Sequence, residues 1–444
     1  MKKKKKSDSQ VILISIDGLW PGLYSSSSLG GSLHDQGANQ DLARLARAGT
    51  QAQAAEAVFP TLTYTNHASI ATGAPSDRHG IFANTRFDPS RVEAWRGFES
   101  QDWILESKYI RTQTIWDAAT EAGIPTAVIR WPSTVGAKAR WCLPDIFPIL
   151  SQESVWSLIK RTSTPDLISK LTRDPDFEPP QDDHRQLDQL TRKAALALLR
   201  ADEKPQLLMV HFTSLDHEAH EKGRNSPMIP VIAREIYLHV QAILSAVDLS
   251  RTSVFVCGDH GFAEFDHRVN INSLLFDRGW LEVEDGKVID WQAIAHTNCS
   301  VAPIYAKDPS RAEEIIADLR SQEGEFYRVL DRAELKSLRA FPDAICAVET
   351  TLRASLGQKV SGPLIEKLPE PRGEHGWSAL LPEMLTGFFA IGAGIRKAHR
   401  IDRIQLIDLA PTIAKIFGFE LPQAEGRVLE EIFESANPIA EATF

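Results

Sequence analysis

Near the start of the chain, an almost unbroken apolar run over residues 11–16 is followed at once by Asp17. The run is too short for a typical helix, and its β-branched residues favour a strand. A strand that is apolar on both faces has to be covered on both faces, which is typical of a parallel sheet between two layers of helices. This run therefore predicts an α/β sandwich.

Similar runs recur along the chain and alternate with amphipathic stretches, which is the pattern of strands joined by crossover helices. Further strands are predicted at 126–131, 207–212, 253–257 and 388–391. Helices are predicted at 42–48, 114–122, 185–200, 229–247, 311–322 and 407–417. The fold class is α/β, with a mostly parallel central sheet flanked by helices.

Composition excludes several classes of protein. The chain has 444 residues, 43% of them hydrophobic and 24% charged, so it can bury a core without disulfides or structural metals. Its net charge of -10 argues against a specific nucleic-acid partner bound by a broad basic face. The four cysteines show no CxxC spacing, so neither a disulfide framework nor a thiolate metal site is indicated.

The N-terminus and the length of the apolar stretches indicate where the protein is located. Residues 1–8 are interpreted as a basic flexible tail, because the apolar run that follows the lysines is too short for a signal peptide. No later stretch reaches the ~18 apolar residues that a bilayer span needs. We therefore expect no membrane span and a cytoplasmic location.

The remaining residues, 9–444, are predicted to form a single domain with insertions. Residues 86–110 and 133–182 are rich in Trp, Pro, Ser and Asp with weak periodicity, and are expected to lie over one end of the sheet. A further inserted segment is expected near 309–368.

Acidic and histidine residues stand directly after several predicted strands, where ligands bind in an open α/β sheet. Each has a simpler explanation: Asp17-Gly18 is a common turn pair, and Asp216 with His220 is a common i,i+4 surface pair. Asp259 and His260 lie between two glycines, which allow a tight backbone. Their coincidence at strand ends favours a shared site.

A hydroxyl-rich segment includes Thr63, just before an amphipathic stretch. Its hydroxyl is a candidate helix N-cap, but a helix N-terminus also attracts anionic substrates. A hydroxyl becomes a nucleophile only if a base or a metal lowers its pKa.

Taken together and in order, the motifs of this chain resemble the alkaline phosphatase superfamily, and within it the type I phosphodiesterase and nucleotide pyrophosphatase family. The resemblance extends over residues 11–418. The motifs that carry it are Ser15-Ile16-Asp17-Gly18, Pro60-Thr61-Leu62-Thr63, Ala71-Thr72-Gly73, Arg78-His79-Gly80-Ile81, Asn84, Asp216 to His220, Gly258-Asp259-His260-Gly261 and Gly373-Glu374-His375-Gly376.

The resemblance implies an alkaline phosphatase-like three-layer sandwich, a two-metal site and a role for each site residue. It implies that one zinc is bound by Asp216, His220 and His375, and the second by Asp17, Asp259 and His260. Thr63 would be the nucleophile bound to the second ion, and Asn84 would donate a hydrogen bond to a phosphoryl oxygen.

The ligand set supports this assignment independently. Carboxylates and histidines without a thiolate suit Zn²⁺, Mn²⁺ or Fe²⁺ better than Ca²⁺ or Mg²⁺. Two such ions can stabilise the entering and leaving oxygens of an in-line displacement. We therefore expect two divalent metal ions, with Zn²⁺ the first choice.

The substrate is less constrained than the metal site. The resemblance implies hydrolysis of phosphodiester or phosphoanhydride bonds through a phospho-threonine intermediate, with a small-molecule phosphodiester or nucleotide as substrate. A base-binding pocket is expected near Leu62, Tyr64 and the aromatic residues of 87–103. Leu62 stands where the family often has lysine, and Tyr64-Thr65 where it has Phe-Pro. Two alternatives stay open: phosphonoacetate hydrolase-like cleavage of a C–P bond, and a non-catalytic metal-binding relative.

Overall fold

The structure is a computed structural model that describes residues 9–24, 40–90, 102–148 and 153–434. The basic tail expected at 1–8 lies outside the described residues, and so does part of the insertion expected at 86–110.

The strands of the described residues follow in chain order. They are β1 (Gln10–Ile16), β2 (Thr50–Ala52), β3 (Ala55–Glu56), β4 (Thr85–Arg86), β5 (Asp102–Trp103), β6 (Thr126–Ile129), β7 (Trp141–Leu143), β8 (Leu207–Phe212), β9 (Thr252–Cys257), β10 (Ala263–Val269), β11 (Leu281–Glu284), β12 (Lys287–Trp291), β13 (Ala293–Ala295), β14 (Val301–Ala306), β15 (Tyr327–Leu330), β16 (Cys346–Thr350), β17 (Ala354–Leu356), β18 (Ile365–Glu374), β19 (Phe388–Gly392), β20 (His399–Ile401) and β21 (Ile404–Gln405).

The α-helices of the same residues lie mostly between these strands. They are α1 (Gln40–Ala48), α2 (Thr63–Thr72), α3 (Ser76–His79), α4 (Ile115–Glu121), α5 (Val155–Thr162), α6 (Pro165–Thr172), α7 (His184–Leu199), α8 (Ser214–Lys222), α9 (Ile229–Leu244), α10 (Ile271–Asp277), α11 (Ala312–Arg320), α12 (Arg332–Ser337) and α13 (Leu409–Phe417). Within the described ranges, none combines the length and the apolar character that a bilayer span requires.

The central sheet has eight strands among the described residues, in the order β20-β2-β19-β9-β1-β8-β6-β7. β1 pairs in parallel with β8 on one side and β9 on the other, and β6 pairs in parallel with β8 and β7. β19 runs antiparallel to β9 and β2. The mostly parallel sheet and all five strands predicted from the sequence are confirmed.

Helices cover both faces of this sheet, and β1 shows why its sequence is apolar throughout. Ile12 and Ile14 point into a core that they share with α7 and α9. Val11 and Leu13 point into the opposite core, shared with α2, α4 and α13. Side chains alternate across a strand, so each face of β1 is buried under its own helix layer. The three-layer sandwich is confirmed.

The inserted segment expected at 309–368 is part of a larger unit. That unit begins at β10 and runs to β18, with a four-stranded sheet in the order β13-β14-β16-β15 and a three-stranded sheet in the order β17-β10-β18. It has a hydrophobic core of its own. Its start was missed because β10 carries half-buried and exposed polar residues instead of a continuous apolar run.

The segment 133–182 does not simply lie over one end of the sheet, as the sequence had suggested. β7 is the edge strand of the central sheet, and α5 and α6 contribute Leu158 and Leu167 to the same core as α7. A strand of three residues is too short to show a period, so this part of the fold was not recognisable in the sequence.

Candidate metal centre

Three neighbouring strands deliver carboxylates to the same edge of the central sheet. Asp17 directly follows β1, Asp259 comes two residues after β9, and Asp216 lies in the first turn of α8 after β8. Because β9, β1 and β8 are adjacent and parallel, their carboxyl ends meet at this edge. The coincidence of acidic residues at strand ends is thus explained by the topology.

The glycines around Asp259 and His260 are required by close packing. A Cβ atom on Gly258 would lie 2.2 Å from Oγ1 of Thr386, and one on Gly261 would lie 2.0 Å from the carbonyl oxygen of Glu383. Any side chain at either position would displace the loop, so these glycines fix where Asp259 and His260 point.

Asp216, His220 and His375 form the first group of candidate ligands, with ligand atoms all within 4.8 Å of one another. Oδ1 of Asp216 lies 3.4 Å from Nε2 of His220 and 3.9 Å from Nε2 of His375. Asp216 and His220 come from one face of α8, whereas His375 directly follows β18 of the inserted unit. The inserted unit therefore completes this group.

Asp17, Asp259 and His260 form the second group. Nε2 of His260 lies 3.2 Å from Oδ1 of Asp17 and 3.3 Å from Oδ2 of Asp259. It also lies 4.0 Å from Oδ1 of Asp216, and the rings of His260 and His375 are stacked with centroids 3.5 Å apart. Asp216 of the first group thus lies beside the second group, and together the two groups form one continuous cluster.

The three histidines of the cluster all present Nε2 to it. Nδ1 of His220 lies 3.2 Å from the carbonyl of Gly373, Nδ1 of His260 lies 3.0 Å from that of Gly261, and Nδ1 of His375 lies 2.7 Å from that of Thr61. A carbonyl oxygen only accepts, so each Nδ1 carries the hydrogen. The lone pair of each Nε2 is left for a metal ion.

The carboxylates also fit a bound cation. Among the described residues, Oδ1 of Asp17, Oδ1 of Asp216 and Oδ2 of Asp259 are buried and accept no hydrogen bond. Burial raises the pKa of Asp259 to about 8, and the charge of Asp17 acts in the same direction. Buried carboxylates that crowd one another are stabilised by a cation between them. The donor set, three imidazole nitrogens and three carboxylates, fits divalent metal ions such as Zn²⁺.

Thr63 lies beside the second group. It is the first residue of α2, and its Oγ1 is 3.3 Å from Nε2 of His260. Thr61 and Thr65 are completely buried, whereas Thr63 keeps 9% of its surface exposed. Of these three threonines, Thr63 is the one that a substrate can reach. Asn84 is half-buried, and its side-chain oxygen accepts the backbone N–H of Tyr64, next to Thr63.

The positions of Leu62 and Tyr64 do not support the expected contact with a substrate. Leu62 is fully buried in a cluster with Phe59 and Ala83, and Tyr64 is 2% exposed with its ring against Trp103. Both side chains anchor the segment that carries Thr63 instead. Of the aromatic residues expected at this pocket, Phe87 stacks on Tyr305 of the inserted unit, whereas Trp103 packs against Tyr64. Trp95 and Phe98 lie outside the described residues.

Two further histidines contact the carboxylates of the cluster, and the sequence motifs did not indicate this role. Nε2 of His211 lies 3.2 Å from Oδ2 of Asp17, and its Nδ1 lies 3.0 Å from the carbonyl of Arg130. His67 bonds the carbonyl of Thr63 through Nδ1, which is also 3.4 Å from Oδ2 of Asp259. The available signal was that His211 interrupts the otherwise apolar strand β8.

The comparisons with known proteins agree with this geometry. The chain matches the type I phosphodiesterase / nucleotide pyrophosphatase family over residues 11–378. It belongs to this family. Venom phosphodiesterase 2 of Crotalus adamanteus is 28% identical over 185 residues, which cover 38% of this chain and 21% of that protein. Ectonucleotide pyrophosphatase/phosphodiesterase family member 1 of Homo sapiens is 28% identical over 106 residues, or 24% of this chain and 11% of that protein.

These two relatives of this type I phosphodiesterase / nucleotide pyrophosphatase family member are much longer than the part that matches. The alignment spans about a fifth of the venom enzyme and less of the human protein. Among solved structures, murine ectonucleotide pyrophosphatase / phosphodiesterase 5 superposes with a TM-score of 0.67 and 18% identity, covering 96% of this chain and 100% of that one. This likeness establishes a shared fold.

Proposed function

We propose that this member of the family hydrolyses phosphodiester or phosphoanhydride bonds at a two-metal site, with Thr63 as the nucleophile. One observation carries the proposal: the two groups of candidate ligands adjoin at Asp216, whose Oδ1 lies 4.0 Å from Nε2 of His260, and the accessible hydroxyl of Thr63 lies 3.3 Å from the same Nε2. Asp216, His220 and His375 would hold one ion. Asp17, Asp259 and His260 would hold the other together with Oγ1 of Thr63.

The residues of the site suggest a reaction in two displacements. When bound, two divalent ions lower the pKa of a coordinated hydroxyl and neutralise charge on the entering and leaving oxygens. Thr63 Oγ1 would release its proton to water and attack the phosphorus, and the ester or anhydride oxygen would leave and take up a proton from water. Water then attacks the phosphorus of phospho-threonine, which releases the phosphate product and restores the hydroxyl. Two in-line displacements give net retention at phosphorus.

Asn84 is proposed to bind a non-bridging phosphoryl oxygen. Its side-chain oxygen is used by the N–H of Tyr64, so the amide N–H groups are the donors that remain for a substrate. A preorganised donor of this kind stabilises the charge that develops on phosphoryl oxygens.

Trp103 is proposed to contact the organic part of a substrate. It is half-buried, and its neighbour Ile104 donates its backbone N–H to the carbonyl of Asn84. The backbone next to Trp103 is thus bonded to the backbone of Asn84. Stacking of a nucleobase on an aromatic ring contributes about 1 to 3 kcal/mol. A nucleotide-containing diester is therefore the proposed substrate class.

The test is hydrolysis of p-nitrophenyl thymidine monophosphate and of bis-p-nitrophenyl phosphate by the zinc-loaded protein. Thr63→Val should abolish turnover while the protein keeps nearly all its metal. Thr65→Val is the matched control, because the Thr65 hydroxyl is fully buried without a hydrogen-bond partner among the described residues. That variant should retain turnover. Full activity of Thr63→Val would refute the nucleophile, and no nitrophenol from the metal-loaded native protein would favour a non-catalytic relative.

A further inference from the structure

Glu374 is a buried carboxylate that contacts two of the candidate metal ligands without facing the cluster itself. It is 5% exposed. Its Oε1 lies 3.3 Å from Nδ1 of His220, and it accepts the backbone N–H of His375 at 3.3 Å. Nε2 is the ring nitrogen of His220 that faces Asp216, and Glu374 contacts the other ring nitrogen. The contact with Glu374 therefore leaves Nε2 available to a metal ion.

The other oxygen of Glu374 is held by the inserted unit. Oγ of Ser355 lies 2.9 Å from Oε2, and Nη1 of Arg268 lies 3.7 Å from Oε2 while it donates to Oγ of Ser355 at 2.8 Å. Arg268 lies on β10, Ser355 on β17 and Glu374 at the end of β18. These are the three strands of one small sheet. A series of polar contacts therefore runs from this sheet to His220.

A direct ligand role for Glu374 fits these contacts less well. Cys299, Glu374 and His375 do bring three possible ligand atoms close together. However, both oxygens of Glu374 already have partners. Oε1 contacts Nδ1 of His220 and the backbone N–H of His375, and Oε2 contacts Oγ of Ser355. Sγ of Cys299 also lies 4.0 Å from Nε2 of His375, the atom that the first ligand group uses.

We infer that Glu374 is a positioning residue of the metal centre, which holds His220 and the backbone of His375 so that both Nε2 atoms meet Asp216. The carbonyl of Gly373 already fixes the tautomer of His220, and a carboxylate beside the same nitrogen holds the ring in orientation and increases its basicity. Losing such a partner of a ligating imidazole weakens metal binding about 10- to 100-fold. The inference rests on the proposed function in one respect, that Asp216, His220 and His375 bind a metal ion.

The chain offers a matched control in Glu349. This glutamate lies on β16 of the same inserted unit and is 4% exposed. It accepts the backbone N–H of Ser378 at 2.8 Å and pairs with Arg328 at 2.7 Å. Its burial, its backbone hydrogen bond and its arginine partner match those of Glu374, but its partners are not candidate metal ligands.

The experiment titrates metal-free full-length protein with Zn²⁺ in competition with a chelating dye, which resolves the two binding affinities. Glu374→Gln keeps the shape of the side chain and removes its charge. We expect it to weaken one of the two affinities by about 10- to 100-fold and to leave the other unchanged. Glu349→Gln should leave both unchanged. Native affinities in Glu374→Gln, or an equal loss in Glu349→Gln, would overturn the inference.

Ser355→Ala provides a second test if Glu374→Gln fails to fold. It removes the hydroxyl beside Oε2 but keeps the charge, so we expect a loss of the same affinity of less than about 10-fold. Unchanged affinities in this variant would count against the inference.

Failure of the proposed function would give a different result. A native protein that binds two ions but hydrolyses no diester would refute the activity and leave the role of Glu374 intact. Native protein without tight Zn²⁺ binding would refute both.

Discussion

The side-chain oxygen of Asn84 accepts the backbone N–H of Tyr64 at 3.0 Å, which ties the segment before β4 to the first turn of α2. Asn84→Asp preserves this acceptor but replaces the amide donors with a negatively charged oxygen. We expect kcat/KM for a phosphodiester to fall by about 10² to 10³, as for the loss of one preorganised oxyanion donor. Steady-state kinetics measure this directly.

The melting temperature of Asn84→Asp separates this effect from damage to the fold. It should stay close to that of the native protein, because the bond to Tyr64 survives the substitution. A native kcat/KM would remove Asn84 from the catalytic residues.

His211 is expected to support the second ion as Glu374 supports the first. Its Nε2 lies 3.2 Å from Oδ2 of Asp17, while Oδ1 of Asp17 faces His260. His211→Phe keeps a ring of similar size against His67 and removes the donor. Competition titration should show about 10- to 100-fold weaker binding of one ion. In a double variant with Glu374→Gln both affinities should fall, and a fall in only one would contradict the assignment to separate ions.

Much of the site could be predicted because strand ends are visible in a sequence. Asp17 and Asp259 follow apolar runs that can only be buried strands, and parallel strands bring their carboxyl ends together. His375 could be placed only through a family motif. It follows β18, whose residues are mostly exposed or half-buried and therefore show no apolar run.

The residues behind the ligands could not be predicted, because tertiary packing chooses their partners. Glu374 stands in a recognised motif, yet its contact with His220 spans two elements that are far apart in the chain. Leu62 and Tyr64 were expected at the substrate, since they flank Thr63. Their burial depends on residues such as Phe59 and Trp103 that pack around them. The local sequence does not indicate which residues will pack there.

Removal of the metal ions should lower the stability of the whole domain. The candidate ligands come from the central sheet, α8 and the end of the inserted unit, so bound ions connect these parts. A ligand present at 100 times its Kd stabilises the folded state by about 2.7 kcal/mol. A chelator should therefore lower the melting temperature by several degrees, and excess Zn²⁺ should restore it. An unchanged melting temperature would show that the cluster does not bind Zn²⁺ in the folded protein.

Buried neutral histidines should make the protein less stable in mild acid. His79 is fully buried between Oγ of Ser69 and the backbone N–H of Ile81, and burial lowers its pKa to about 3. In the unfolded chain its pKa is about 6.5, so between about pH 3 and 6.5 the unfolded state binds one more proton. The free energy of unfolding should fall by about 1.4 kcal/mol per pH unit for each such group as the pH drops through this window.

His79→Gln tests this dependence, because the amide can replace both hydrogen bonds but does not titrate. Unfolding by urea is measured between pH 6 and 4, with a chelator in every sample to remove the contribution of metal ions. The unfolding free energy of the variant should depend less steeply on pH, by about the slope that one proton contributes. His296→Gln should give a similar change, because burial also lowers the pKa of His296 to about 3. If both variants kept the native slope, these two histidines would have to be charged or exposed in the folded protein, contrary to their hydrogen bonds and burial.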